Sequence, residues 1–249
     1  MSNTFKVLTY NIHKGFSPGK VRFMLPQMRE ALETVNSDLV FLQEVQGKHS
    51  KQEKRIQDWP DASQFEFLAD QLWPHYAYGK NAIYQAGHHG NAILSKYPIG
   101  SWENINVSQV ARASRSLLHG VIELPDNGLN LHVICIHLGL FKAERSGQLA
   151  ALSQRIADKV PANEPLIIAG DFNDWRSEAA KHLEVDLGLK EVFNELEGGH
   201  AKSFPAWGPT LKTDRIYYRG LELIEGECLK EKPWRLLSDH LPLYAKFKI

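Results

Sequence analysis

Apolar positions recur along this chain in two alternating rhythms. Residues 5–12, FKVLTYNI, alternate and are rich in β-formers, which predicts a strand. In residues 25–38, LPQMREALETVNSD, Leu25, Met28, Leu32 and Val35 fall near helical spacing, and Pro26 suits a first helical turn. DLVFLQEV then reads as a buried strand that ends near a carboxylate, Glu44. SQFEFLADQL opens on Ser63 with Glu66 three residues later, the signature of a capping box. From residue 76 the texture turns to β, in YAYGKN, GNAILSKYPI, SLLHGVIEL and LNLHVICIHL, with PDNG between the last two as a hairpin signal. AERSGQLAALSQRIADKV sets Leu149, Leu152, Ile156 and Val160 on one helical face. A strand in PLIIAGDFNDW, a short helix near SEAAKHLEV, and strands at DRIYY, LELIEG and LPLYAKFKI complete the chain. The charged stretch GKHSKQEKRIQD reads as a solvated loop. No repeat of fixed period and no Pro/Gly/Ser-rich linker divides the sequence, so residues 1–249 are expected to form one α/β domain of stacked sheets with helices outside.

Composition narrows the function classes. Hydrophobic residues make up 43% and charged residues 23%, as in ordinary globular proteins. Lys+Arg and Asp+Glu are both 29, and this zero balance argues against a broad, non-specific grip on nucleic acid while leaving room for a local basic groove. Two isolated cysteines, Cys135 and Cys228, make neither a disulfide framework nor a zinc site; Cys135, inside LHVICIH, is expected to pack as a small buried hydrophobe. The N-terminus has no basic segment followed by a long apolar one, and no run approaches the ~20 apolar residues of a membrane span. A reducing cytoplasm is the expected location.

The stretch PLIIAGDFNDW poses the functional question. A buried strand that ends in Asp171, Asn173 and Asp174 reads as a turn, because Asp and Asn side chains bond nearby backbone. It reads equally as a catalytic edge, since reactive groups collect at the carboxyl ends of strands. The rest of the chain favours the edge. VLTYN ends at Asn11, LVFLQE at Glu44 and HVICIH at His137; Asp214 opens DRIYY, and Asp239 with His240 precedes the last strand. Each alone suits a turn, a cap or a hydrogen-bonded core residue. Together they form a set whose burial without a chemical role would be costly. Glu, Asp and Asn oxygens suit a hard cation such as Mg²⁺ or Mn²⁺, an imidazole beside a carboxylate suits a charged partner for phosphate, and an Asp with an Asn two residues on suits a water. The combination points to metal-assisted phosphoester hydrolysis.

With LTYNIH, DLVFLQEV, GNAILSKYPI, HVICIHLG, IIAGDFND, TDRIYY and SDHLPLYAKF in this order, the whole chain resembles the endonuclease/exonuclease/phosphatase superfamily. The resemblance implies a deoxyribonuclease I-like fold, a four-layer sandwich of two packed, mostly antiparallel sheets flanked by helices. It implies Glu44 as a metal ligand, with Asp239 and Asn11 near the metal, and Asn11 near the phosphate as well. Asp171 matches the Asp that orients or deprotonates the attacking water, and Asn173 its phosphate-contacting partner. His240 matches the His on the scissile phosphate, Asp214 the carboxylate that pairs with it, and His137 a position directed at the phosphate. Arg115 lies where many members carry an Arg, with Arg112 as a competitor for that place.

Departures from the family pattern bear on the substrate. Asn91, in HHGNAIL, stands where the nucleases pair a His with a Glu, a form resembling sphingomyelinase-like and bacterial members. DRIYY replaces the usual D-x-I-F, and neither a basic, aromatic-interleaved insertion nor an apolar lipid-docking insertion is evident. The expectation is therefore an Mg²⁺- or Mn²⁺-dependent phosphodiesterase acting on nucleic acid or a small phosphodiester. The alternatives are a phospholipid or sphingomyelin phosphodiesterase, and a phosphoester-binding protein without turnover.

Overall fold

Two six-stranded sheets carry the fold of the computed structural model, which describes residues 4–109, 114–124 and 130–248. The strands are β1 (Thr4–Asn11), β2 (Leu39–His49), β3 (His75–Tyr84), β4 (Gly87–Ser95), β5 (Ile99–Asn106), β6 (Ser116–Glu123), β7 (Asn130–His137), β8 (Leu166–Asp171), β9 (Lys190–Glu191), β10 (Asp214–Arg219), β11 (Glu222–Cys228) and β12 (Leu243–Lys248). One sheet runs β11-β12-β1-β2-β4-β3 and the other β5-β6-β7-β8-β10-β9. β1 with β2 and β7 with β8 are parallel, and the other pairings are antiparallel. The PDNG turn lies outside the described residues, although β6 and β7 pair antiparallel from Glu123↔Asn130 onwards.

The layering follows from the two-residue period of strands. On β7, Val133 and Cys135 join the core between the sheets, while Ile134 and Ile136 join a second core. On β8, Ile167 and Ala169 face inward and Leu166 and Ile168 outward. Both faces of these strands are therefore buried, which is why LHVICIH and LIIAG are continuously apolar rather than alternating. The second core is closed by the helix Lys142–Lys159, whose Leu149, Leu152 and Ile156 are buried. Across the molecule, the helix Leu25–Val35 buries Leu25, Met28 and Leu32, and it stops at Asn36, which takes the left-handed backbone of a C-terminal cap. The Ser63–Glu66 capping box forms in full.

One local feature differs from the sequence pattern, and the short helix expected near SEAAKHLEV is present in irregular form. GKHSKQEKRIQD is not simply a loop: β2 continues to His49, paired with Gly87 of β4, and one helical turn follows at Ser50–Glu53. Pairing with β4 carries the strand past its last apolar residue. The region around SEAAKHLEV is a helical turn, Glu178–Ala180, running into a wider one, Lys181–Asp186.

Candidate active site

Strand register assembles the first row of polar groups. Parallel pairing of β7 with β8 sets His137 opposite Asp171, and antiparallel pairing of β8 with β10 sets Asp171 opposite Asp214. Three strand ends thus place His137, Asp171 and Asp214 side by side. Gly170, just before Asp171, permits the close approach: a Cβ there would lie 2.0 Å from the Ile136 carbonyl oxygen. From the other sheet, Asn11 at the end of β1 donates its amide to Asp171 Oδ2 at 3.2 Å. The same oxygen lies 3.5 Å from His137 Nε2 and 3.8 Å from His240 Nε2.

Asp171 divides its two oxygens. Oδ1 accepts the Asn173 backbone N–H at 2.9 Å, the bond expected of a turn, and Oδ2 faces the cluster. Asn173, with φ 50°, donates its side-chain amide to the Leu138 carbonyl. Asp174 instead braces the backbone. Its Oδ2 accepts the Ala179 N–H, and its backbone carbonyl accepts a bond from the buried Arg215. Burial pushes the Asp171 carboxyl up to about 7, against the opposing charge of His240.

His240 is fixed by its partner. Its Nδ1 bonds Asp214 Oδ2 at 2.9 Å, which leaves Nε2 toward Asp171. Asp214 Oδ2 also accepts the hydroxyls of Ser203 and Thr213, and Phe204 packs its ring 4.8 Å from the imidazole. Burial alone would push the imidazole down, but the charges of Asp214 and then Asp171 carry it up to about 10. It is a cation at neutral pH. His137 goes the other way: burial, with Arg115 adding to it, holds it well below its ordinary value, and it stays neutral.

Glu44 sits at a β-bulge where the β2–β4 register shifts between Leu42 and Val45, and it takes the left-handed backbone, φ 58°. His13 and Lys14, just past β1, share that conformation, as does Asn173. Such residues cost of order ~1–3 kcal/mol each and cluster where function requires them. Burial works against the ionised Glu44, yet the basic groups around it, His137 first and then Lys14 and His13, hold it down to about 2; the Lys14 Nζ lies 3.2 Å from its Oε2. Asp239 Oδ1 lies 3.6 Å from His13 Nδ1.

Two groups invite a metal. The side chains of Asp171, Asp214 and His240 offer ligand atoms within 4.8 Å of one another. There, however, His240 Nδ1 and Asp214 Oδ2 already satisfy each other, so the trio fits a hydrogen-bonded relay better than a ligand shell. The Glu44 Oε2 atom is buried and accepts no hydrogen bond among the described residues. Its near neighbour is the Lys14 ammonium at 3.2 Å, and a buried, ionised carboxylate oxygen is the kind of donor a hard cation takes; Asp239 and the Asn11 amide oxygen, which accepts the His13 N–H, are oxygen donors of the type Mg²⁺ or Mn²⁺ prefers.

The remaining sequence candidates differ in placement. Arg115 lies close enough for its charge to depress His137, and its Nε is buried without a partner among the described residues. Arg112 lies outside the described residues. Asn91 is fully buried in β4 and donates its amide across to the carbonyls of Ser116 and Cys135, so its donors brace the two sheets. Cys135 and Cys228 are both free and buried. The sequence reading missed Lys14, His13 and the hydroxyls of Ser203 and Thr213. Lys14 and His13 follow Asn11 directly in NIHKG, and that adjacency was the available signal.

Residues 8–240 match the model of the Endonuclease/Exonuclease/phosphatase family. The Uncharacterized protein YbhP of Escherichia coli K12 is 46% identical over 246 residues, covering 99% of this chain and 97% of its own. Among solved structures, a humanized D. rerio TDP2 superimposes with a TM-score of 0.76 at 20% identity, over 100% of both chains. The mannosyl-6-phosphatase Bt3783 of Bacteroides thetaiotaomicron gives 0.76 at 15% identity, over 98% of this chain and 100% of that one. At such identities the likeness is one of fold. No helix among the described residues is long and apolar enough to cross a membrane.

Proposed function

Because the chain belongs to the endonuclease/exonuclease/phosphatase family, we propose that it is a divalent-metal-dependent phosphoester hydrolase, a phosphodiesterase acting on nucleic acid or a small phosphodiester, with residues 1–249 as one catalytic domain. The observation that carries the reading is Asp171 Oδ2, a buried carboxylate oxygen on which Asn11, His137 and His240 converge from both sheets.

In this reading Asp171 takes the proton of the attacking water. A value raised to about 7 suits a general base, which works best when its pKa lies near the operating pH. Oδ1 is fixed by the Asn173 N–H and Asn11 steers Oδ2, so the base enters the reaction already oriented. His240, held cationic by Asp214, places its Nε2–H against the charge that develops on the phosphate oxygens. Neutral His137 and Asn173 add hydrogen bonds, and Arg115 adds charge at the edge of the cluster. Glu44 and Asp239, with the Asn11 amide oxygen, would hold the metal. When bound, the metal supplies a Lewis acid that polarises a phosphoryl oxygen and supports the leaving group.

The test is an activity screen over phosphodiesters and phosphomonoesters with Mg²⁺, Mn²⁺ and Ca²⁺. Turnover of a chromogenic phosphodiester that chelator abolishes is the expected result, and binding of phosphoesters with no turnover under any metal would refute the enzyme. Plasmid DNA set against sphingomyelin vesicles separates the nucleic-acid and lipid arms.

A further inference from the structure

A cleft of about 650 Å³ opens beside Lys14, and it takes no part in the chemistry above. Its floor is the segment between β1 and the helix Leu25–Val35; its sides are the end of β2 and the β3–β4 hairpin. Buried Gln64 fastens these pieces together: its Nε2 donates to the Lys14 carbonyl and its Oε1 accepts the Gln46 N–H. Lys14 joins the cleft to the candidate active site through its 3.2 Å pair with Glu44.

The lining has a definite chemistry. Lys14, Lys20 and Arg55 line it, and no Asp or Glu does. Among the described residues, neither Lys20 nor Arg55 has a carboxylate within ion-pair distance, so both cations are available to a ligand. Its walls are aromatic. Phe16 meets Phe23 at 5.5 Å, Phe23 stacks on Trp59 at 5.0 Å, and Tyr84 lies between His49 at 5.7 Å and His89 at 5.9 Å. Trp59 does not itself line the cleft but backs it, packing on Phe23 and lying 6.3 Å from His49. Aliphatic surface is limited to Val21 and Ile56, which is little for an acyl chain. Unpaired cations call for an anionic group, and a run of rings calls for a planar one.

We propose that this cleft is a substrate subsite for a nucleobase together with a second phosphate on its sugar, so that the diester cleaved next to it carries a nucleotide on one side. The inference rests on the phosphodiesterase reading and narrows its substrate class. Base stacking on an aromatic side chain is worth ~5–150-fold in affinity, and the two exposed cations add a salt-dependent share.

The experiment compares kcat/KM for methyl p-nitrophenyl phosphate, too small to reach the cleft, with the p-nitrophenyl phosphate esters of thymidine at the 3′ and 5′ positions, each with and without a phosphate on the other hydroxyl. It uses the wild type, a Lys20→Gln/Arg55→Gln double variant and Tyr84→Leu. The expected result is a preference of about tenfold or more for at least one thymidine ester, increased by the second phosphate. Tyr84→Leu should lower the preference for the base, the double variant should remove the gain from the second phosphate, and the methyl ester rate should stay unchanged in both. Calorimetric binding of thymidine 3′,5′-bisphosphate gives a readout free of turnover, and the double variant should lose it. Equal rates for methyl and thymidine esters, with bisphosphate binding untouched by the substitutions, overturn the subsite and leave the phosphodiesterase standing. Bisphosphate binding that depends on these residues, with no diester hydrolysed, keeps the subsite and sinks the phosphodiesterase. Sphingomyelin turnover lost in the same variants, with thymidine esters unaffected, assigns the cleft to lipid and overturns the proposal.

Discussion

Asp214→Asn keeps the shape of the side chain that holds His240 and removes its charge. In the wild type, Asp214 Oδ2 meets His240 Nδ1 at 2.9 Å with both groups buried. A hydrogen bond to a charged group contributes ~1.5–3 kcal/mol, and one pKa unit corresponds to about 1.36 kcal/mol, so the loss should lower the imidazole by ~1–2 units from its value of about 10. Burial, which disfavours the cation, pulls in the same direction once the carboxylate is gone. If the charged imidazole serves the phosphate, activity falls as pH rises through its pKa, and the alkaline limb of the rate profile moves to lower pH by that amount. Stability carries the same sign. A value raised on folding stabilises the native state fully below the unfolded value near ~6.5, and that contribution is lost as pH rises through about 10. Wild-type protein should therefore lose denaturant resistance between neutral and alkaline pH, and the variant should lose less. The assay is kcat/KM against pH on a chromogenic phosphodiester at saturating Mg²⁺, with urea unfolding followed by circular dichroism at the same pH values. An alkaline limb that stays in place, or moves up, in a folded variant refutes the pairing as a functional device.

Asp171→Asn retains size and hydrogen bonding but takes no proton, so turnover should drop ~10²–10⁴-fold while phosphoester binding survives; a wild-type rate sends AGDFND back to being a turn. Glu44→Gln should raise the Mg²⁺ concentration needed for half-maximal activity and leave the thermal melt near wild type, and full activity at limiting metal would contradict the ligand assignment. Replacing Cys135 and Cys228 together should leave activity intact, with two thiols titrating only after denaturation; a thiol count of zero would overturn this. Leu152→Ala, on the buried face of the helix Lys142–Lys159, should cost ~2–5 kcal/mol in urea unfolding without moving KM.

The candidate site was legible in the sequence where strands do the positioning. A strand turns a position in the chain into a position in space by register alone, so His137, Asp171 and Asp214, each at a strand end, fall into one row once the pairings are known. Apolar runs with both faces buried also disclosed the layers, because only strands enclosed on two sides dispense with alternation. What lay beyond reach depends on irregular backbone. Lys14 and His13 reach Glu44 and Asp239 only because consecutive residues take left-handed conformations, which no propensity for Lys or His would suggest. Ser203 and Thr213 lie ten residues apart and meet on one Asp214 oxygen through a loop. The cleft beside Lys14 draws on three separate segments, so a search for one basic, aromatic-interleaved insertion could not have found it.

Asp171 shows why the two readings of AGDFND were never competitors. A turn needs one carboxylate oxygen for a backbone N–H, and a base needs one oxygen free to take a proton. The carboxylate has both, and the structure assigns Oδ1 to Asn173 N and Oδ2 to the cluster. The turn bond does the orienting: with Oδ1 fixed, Oδ2 has one direction, set by the end of β8. It also bears on the pKa: burial raises the group to about 7 against the charge of His240, and the Asn173 N–H adds a smaller pull toward the ionised form. A short polar turn after a buried strand is thus a means of fixing one carboxylate oxygen inside the protein while leaving the other to face the cluster.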